Sequence, residues 1–369
     1  MKIGIDGRCL MNGSYSGVSW YAYNLLKQLF EIDNSSDYII FGNSSHRAQL
    51  PNFERANAKN AVFKIPNKFF NLASFLLGKP KIDKMIGGID VFWAPNLNFI
   101  NVSANTKLIL TVHDLSFLIF PQFFPIKSIL WHKMILKTKL IQRADLIIAD
   151  SNSTKADLVN LLKIEDNKIK VIYPGISSDY RKIESNDEGF IKVRNKYNLP
   201  ERFILFLGTL EPRKNIESLI EAYKLIDTDV TLVIAGSGGW KNKDVYALAK
   251  QDSRIKMIGY VDESEKPYLY NLAQFLVYPS FYEGFGLPLI EAMACGCPVI
   301  AGANSSQSEI VENNGLLIDA YNTNDIKIGI EILLADEDLR VGYSKRGLET
   351  AKKFSWENSA RELSDCFRK

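Results

Sequence analysis

The chain has 369 residues, 46% of them hydrophobic and 24% charged, with a net charge of +3. That length suits two domains of about 100–200 residues, each large enough to bury a core, and so small a net charge argues against a nucleic-acid partner. Four cysteines (Cys9, Cys295, Cys297, Cys366) form no Cys-x-x-Cys pair and are expected to be reduced thiols in a cytosolic protein, while His46, His113 and His132 are too scattered for a metal cluster.

The first residues, Met1-Lys-Ile-Gly-Ile-Asp6, enter a strand pattern with no basic and apolar leader ahead of it. No signal peptide is therefore expected. No apolar run nears the ~20 residues of a spanning helix, so any membrane contact is expected to be peripheral. Short Ile/Leu/Val-rich runs then alternate with helical patterns. In the first half strands are expected at 2–6, 38–42, 62–66, 91–95, 108–112, 146–150 and 170–173. In the second half they are expected at 203–208, 231–235, 255–259, 275–278, 299–301 and 315–318. Runs apolar on both faces, alternating with helices, indicate parallel sheets built from βαβ units. Val18, Tyr21, Ala22, Leu25, Leu26 and Leu29 share one helical face, giving a helix over Val18–Phe30. Tyr173-Pro-Gly-Ile176 and the polar stretch after it mark a linker. The expected organisation is residues 1–176, residues 177–353, and a last helix from Phe354-Ser-Trp356. Two doubly wound sheets would face each other across a cleft, with ligands at the carboxyl ends of the strands.

The most informative stretch is Tyr278-Pro-Ser-Phe-Tyr-Glu-Gly-Phe-Gly-Leu-Pro-Leu-Ile-Glu-Ala-Met-Ala-Cys-Gly-Cys-Pro-Val-Ile300. A strand is expected to end near Tyr278 and a helix to start near Pro288, whose missing N–H costs nothing in a first turn. Glycines allow close backbone approach, and a helix start offers unsatisfied N–H groups suited to a diphosphate. Glu283 falls on the loop and Glu291 in the first turn of the helix, so two carboxylates could flank one elongated ligand. Any Glu pair at this spacing is ordinarily a solvated face; its place between strand and helix argues otherwise.

This stretch resembles the Glu-x7-Glu motif of the retaining glycosyltransferases of family four, which have the GT-B fold. Phe206-Leu-Gly-Thr-Leu-Glu-Pro-Arg-Lys-Asn-Ile216 resembles the family's phosphate-binding segment, Val112-His-Asp-Leu115 its His-containing loop, and Asn12-Gly-Ser-Tyr-Ser-Gly17 its first glycine-rich loop. Gly259-Tyr-Val261 resembles the segment beside the nucleobase, and Phe354-Ser-Trp356 the start of a helix that returns to the first domain. The resemblance implies that Glu283 contacts the donor sugar and Glu291 the ribose. Phe285, Gly286 and Leu287 would offer backbone amides, and Arg213 and Lys214 would neutralise the diphosphate. Family members commonly carry Arg where this chain has Thr209, which leaves that charge to Arg213. Tyr260 and Val261 would border the base. His113 would lie near the sugar C6 hydroxyl and the leaving phosphate, with Asp114 a loop or cap residue. Gly17 reads equally as a ligand-facing amide or an ordinary helix-start glycine. Gly236-Ser-Gly-Gly239 is either a turn or a border of the nucleotide site.

Asp227-Thr-Asp229 sits in a polar turn and reads as a helix–strand connection; the resemblance implies a metal-independent reaction without cofactor, with fixed positive groups stabilising the departing diphosphate. No residue stands out as a nucleophile, which favours same-face attack with retention. Glu283→Ala and Lys214→Ala are each expected nearly to abolish transfer while the fold survives. The form of the phosphate segment most resembles mannosyltransferases of bacterial polysaccharide assembly, so GDP-mannose ranks first as donor. UDP-glucose, UDP-N-acetylglucosamine and dTDP-rhamnose remain open, as do a phosphorylase, a sugar-nucleotide epimerase and a non-catalytic nucleotide-sugar-binding subunit. Residues 60–143 carry net +8 against −5 for the remainder, interleaved with Phe69–Leu77 and Phe123–Leu136. Either these apolar positions are core beneath a solvated basic face, or the segment meets an anionic membrane; the asymmetry favours the membrane and a lipid-linked acceptor. The expected location is the inner face of the cytoplasmic membrane.

Overall fold

The computed structural model describes residues 1–11, 17–44, 49–240 and 242–368. Its contacts divide the chain into two units. The first comprises Met1–Ile119, Pro125–Gly175 and the residues from Ser355 onward; the second comprises Phe120–Phe124 and Ile176–Phe354.

The first unit holds a parallel sheet of β1 (Lys2–Asp6), β2 (Asp37–Asn43), β3 (Ala58–Phe63), β4 (Val91–Ala94), β5 (Lys107–Val112), β6 (Leu146–Ala149) and β7 (Ile169–Val171). Their order is β3-β2-β1-β4-β5-β6-β7. The second unit holds β8 (Phe203–Leu207), β9 (Thr231–Ala235), β10 (Ile255–Gly259), β11 (Leu276–Tyr278), β12 (Val299–Gly302) and β13 (Leu316–Ile318), in the order β10-β9-β8-β11-β12-β13. Every pairing in it is also parallel. Each sheet reverses winding direction once, beside β1 and beside β8. In an open parallel sheet that reversal opens a crevice at the strands' carboxyl ends.

Each expected strand is present. β3 alone lies well off its expected place, four residues earlier. It is an edge strand with alternating half-exposed positions, so its apolar signal is weak, and Pro66 belongs to the entry of the next helix. The central strands β8 and β11 are buried throughout, which is why their apolar runs are legible.

Helix α1 (Gly17–Ile32) buries Tyr21, Ala22, Leu25, Leu26, Leu29 and Phe30 against the first sheet. The C-terminal helix, Trp356–Arg368, joins the same core through Trp356, Ala360, Leu363 and Phe367, as expected of the returning helix. The Trp356 ring meets the Tyr21 ring edge-on at 5.8 Å. Ser359 Oγ donates to the Tyr173 carbonyl at 2.6 Å and Lys107 Nζ to the Cys366 carbonyl at 2.8 Å. The chain at Ser355–Trp356 runs so close to Gly175 that a β-carbon there would sit 2.0 Å from the Trp356 nitrogen. Only glycine permits that crossing.

Gly175→Ala should therefore destabilise the first unit by about 1–3 kcal/mol through forced overpacking of backbone. Gly17→Ala, where a β-carbon meets open space, should change stability little. Thermal denaturation of the two variants beside the parent chain distinguishes these outcomes.

Candidate functional site

The second unit's site grows from the two strands that flank its reversal point. β8 runs into Gly208 and Thr209, then into the short turn Pro212–Lys214. Asn215, in the left-handed region at φ 57°, turns the chain into the next helix, and its Nδ2 donates to the Ala320 carbonyl at 2.6 Å. β11 ends at Tyr278 and a loop leads to Gly286, whose φ of 106° favours glycine. The helix that follows spans Leu287–Ala294, with Pro288 in its first turn.

The loop is held from the following segment. Ser305 Oγ accepts from the Glu283 amide at 3.0 Å. Ser306 Oγ donates to the Glu283 carbonyl at 3.0 Å and the Phe285 carbonyl at 2.6 Å, and Gln307 Nε2 donates to the Ser280 carbonyl at 2.8 Å. The Phe285 ring packs edge-on against Phe354 at 5.6 Å. Leu287 opens the helix, half-buried, behind the Gly286 cap.

Glu283 lies at the centre. Its Oε1 is 2.6 Å from Lys214 Nζ and its Oε2 2.9 Å from Arg213 Nη1. Arg213 also reaches Glu211 at 2.7 Å and donates to the Tyr282 carbonyl at 2.6 Å. Lys214 donates to Tyr278 Oη at 2.5 Å. All four charged side chains are largely buried, and two carboxylates balance two cations. Burial raises the Glu283 carboxyl, but Arg213 and Lys214 outweigh it and hold it at about 2. Burial pulls the Lys214 ammonium below its ordinary range, with Arg213 adding to the effect and Glu283 opposing it.

Glu291 is the fifth residue of its helix, a turn deeper than the first-turn position expected of it. Tyr270 Oη donates to its Oε2 at 2.9 Å. Close by, Lys266 Nζ pairs with Glu263 at 2.6 Å and Tyr180 Oη donates to Glu263. Burial raises the Glu291 carboxyl, Lys266 opposes that, and the Glu263 charge adds to it. The motif's two carboxylates are thus driven in opposite directions, the usual mark of distinct roles.

Thr209 is exposed, Tyr260 is 63% exposed, and Val261 is buried. The glycine cluster has a backbone explanation. A β-carbon on Gly236 would lie 1.8 Å from the Gly208 carbonyl oxygen, and one on Gly239 would lie 2.7 Å from that of Leu210. The ends of β8 and β9 meet backbone to backbone there.

His113 and Gly17 belong to the first unit. Residues 12–16 of the glycine-rich loop lie outside the described residues, and Gly17 is the first residue of α1. His113 follows β5. Its Nδ1 is 2.5 Å from Asp150 Oδ2, its Nε2 2.8 Å from the Pro95 carbonyl oxygen, and Tyr21 meets its ring edge-on at 4.8 Å. A carboxylate and a carbonyl only accept, so the two contacts are satisfied together when the ring carries a proton on each nitrogen. Burial opposes that charge, but the Asp150 charge and hydrogen bond, the Pro95 carbonyl and the Asp114 charge raise the ring above its ordinary value. Asp114 accepts from the Ser116 amide at 2.9 Å and hydroxyl at 2.6 Å, as a capping residue does.

Sequence reasoning missed Glu211, Tyr278 and Ser306 around Glu283, Tyr270 and Glu263 around Glu291, and Asp150 behind His113. All but Tyr270, which lies inside the helix Lys266–Leu272, sit at or shortly after strand ends, and that position was the available signal.

Similarity to known proteins extends along nearly the whole chain. Residues 15–180 match the family described as Glycosyltransferase Family 4, and residues 187–350 match Glycosyl transferases group 1. The chain is 30% identical over 373 residues to O-antigen chain mannosyltransferase B of Escherichia coli, covering 96% of each. Among solved structures it resembles sucrose-phosphate synthase of Thermosynechococcus elongatus, at a TM-score of 0.80 and 21% identity, over 100% of this chain and 98% of that one. It also resembles Anabaena HepE in complex with UDP-glucose, at a TM-score of 0.74 and 18% identity, over 100% and 99%.

Two outcomes follow from the charges. Removing Glu283 leaves two cations buried without their carboxylate, so Glu283→Gln should lose about 3–5 kcal/mol of stability. Because the carboxyl is lowered from 4.5 to about 2 on folding, its contribution is complete above pH 4.5 and is lost as pH falls through 2. Denaturant unfolding across that window should show Glu283→Gln losing less stability on acidification than the parent chain. Second, NMR titration should place His113 above the ordinary 6.5 of a histidine, and Asp150→Asn should lower it.

Proposed function

The chain belongs to glycosyltransferase family 4, with the GT-B fold, and from that premise we propose that it is a retaining mannosyltransferase taking its sugar from GDP-mannose. The observation that carries this reading is the end-to-end similarity to an O-antigen mannosyltransferase. The acceptor in this reading is a hydroxyl of a glycan or lipid-linked acceptor in surface-polysaccharide synthesis, met at the inner face of the cytoplasmic membrane. No helix among the described residues is long and apolar enough to cross a membrane.

In this reading the neutral Glu211–Arg213–Glu283–Lys214 cluster exchanges partners when the donor arrives. The diphosphate brings negative charge and draws Arg213 and Lys214, at the exposed Thr209 end of the strand. Glu283 is then released to accept hydrogen bonds from the sugar hydroxyls. The backbone amides of Phe285, Gly286 and Leu287 face the sugar and diphosphate, Glu291 accepts from the ribose, and Tyr260 and Val261 flank the base. His113, with both ring nitrogens protonated, acts as a fixed positive group for the leaving phosphate and not as a base. The proton of the attacking hydroxyl passes to the departing phosphate on the same face, which retains configuration without an enzyme nucleophile. No metal or cofactor has a part, because Arg213 and Lys214 supply the charge that a metal would.

A UDP-glucose, UDP-N-acetylglucosamine or dTDP-rhamnose transferase is the nearest alternative. The test is a thermal-shift panel of GDP, UDP and dTDP with their sugars, followed by transfer assays. A preferred ligand at a hundred times its Kd stabilises by about 2.7 kcal/mol. GDP-mannose should give the largest shift, and Lys214→Met should lower turnover by about 10²-fold or more. A larger shift with UDP or dTDP sugars would overturn the donor assignment. Interconversion of free sugar nucleotides would favour an epimerase, and binding without turnover a non-catalytic subunit.

A further inference from the structure

Two helices of the first unit leave large apolar side chains in solvent. One spans Asn67–Leu77 and is here α2; the other spans Ile126–Lys137 and is here α3. The α2 helix buries Phe70 and Ser74, and α3 buries Ile135. On α2, Phe69 is 70% exposed and Leu77 71%, with Leu72 and Leu76 also exposed. Spacings of three and four residues put Phe69, Leu72 and Leu76 on one side of the helix, and Leu77 is exposed at its C-terminal end. On α3, Ile126 is 75% exposed, and Leu130 follows one turn later, also exposed.

The two helices are neighbours through one ring. Phe99 meets Phe75 of α2 edge-on at 6.5 Å and Trp131 of α3 edge-on at 6.2 Å. Asn101 Nδ2 ties the same loop to the Ser74 carbonyl at 3.1 Å. The inward faces are thus accounted for, and the exposed residues are not core.

What surrounds them is basic. Lys64, Lys68, Lys79, Lys127, Lys133 and Lys137 are exposed, and neither helix contains an Asp or Glu. The acidic residues of the region face backbone instead. Asp83 accepts from the Ser103 amide at 2.8 Å and Asp90 from the Lys2 amide at 2.8 Å. A second copy of this face would set lysines against lysines, which disfavours self-association. Exposed Phe, Leu and Ile within a lysine fringe instead match a surface with anionic groups outside and hydrocarbon beneath.

We propose that the outward faces of α2 and α3 are a bilayer-docking surface, with Phe69, Leu72, Leu76, Leu77, Ile126 and Leu130 entering the headgroup–acyl boundary of an anionic membrane. Lysines beside them contact the lipid phosphates. The inference deepens the proposed lipid-linked acceptor by naming the residues that would bring the chain to it, but the contact itself requires no nucleotide chemistry.

The test is co-sedimentation of the full chain at low salt with vesicles of equal parts phosphatidylglycerol and phosphatidylethanolamine, beside pure phosphatidylcholine vesicles. The chain should sediment with the anionic vesicles and not the neutral ones. Phe69→Ser with Leu77→Ser should weaken that binding about tenfold or more, and so should Lys68→Glu with Lys127→Glu. These side chains are exposed, so circular dichroism and Tm should stay at parental values. Donor binding, read by the GDP thermal shift on the same variants, should be unaltered, so a failed donor assignment and a failed docking surface give different results. No binding of the parent chain to anionic vesicles would overturn the proposal, as would undiminished binding of the Phe69/Leu77 variant. Self-association lost in that variant, without vesicle binding, would make the face a contact between copies and would overturn it too.

Discussion

The ion pairs around Glu283 are the constraint on which the second unit's site depends. A carboxylate so buried is tolerable only because Lys214 and Arg213 lie within 2.9 Å of it, and those two are tolerable only because Glu211 and Glu283 balance them. The cations follow β8 and Glu283 follows β11, strands that are neighbours in space though some 70 residues apart in the chain. Winding order, more than local sequence, therefore assembles the cluster. The loop's remaining freedom is removed by Ser305, Ser306 and Gln307, which hold its amides and carbonyls from behind. A preformed arrangement of this kind spends little conformational entropy when charge develops on a ligand.

The contrast between Glu283 and Glu291 has the same origin. Both are buried, eight residues apart, yet one is held strongly acidic and the other is raised. Glu283 has two cations in direct contact. Glu291 has a tyrosine hydroxyl, and the nearby Lys266 is already paired with Glu263. Burial acts on both alike; the neighbours decide the sign.

Much of the fold was legible because buried parallel strands are apolar on both faces. Phe203–Leu207, Thr231–Ala235 and Val299–Gly302 announce themselves as short Ile/Leu/Val runs. β3 did not, since an edge strand with half-exposed positions carries little such signal. At the site, Glu283, Arg213 and Lys214 stood out by motif. Glu211, Tyr278 and Asp150 did not, because their importance lies in partners brought close by the sheet. Asp150 is 37 residues from His113 in sequence and 2.5 Å from it in space. That pairing also changes how His113 reads, since acceptors at both nitrogens favour the charged ring over one with a free lone pair.

The C-terminal helix has a consequence for the order in which the protein can be made. Its Trp356, Leu363 and Phe367 fill the core that β1 and α1 begin, so the first unit is built from both ends of the chain. During synthesis the part of that core which the last helix covers must wait while nearly the whole of the second unit is being translated. The later-made unit, continuous from Ile176 to Phe354 apart from its five-residue Phe120–Phe124 segment, can close first. Vectorial synthesis ordinarily favours the N-terminal domain, and here completion of that unit waits for its last helix. The apolar surface around Tyr21 and Trp93 is thus open to non-native contacts until that helix is made.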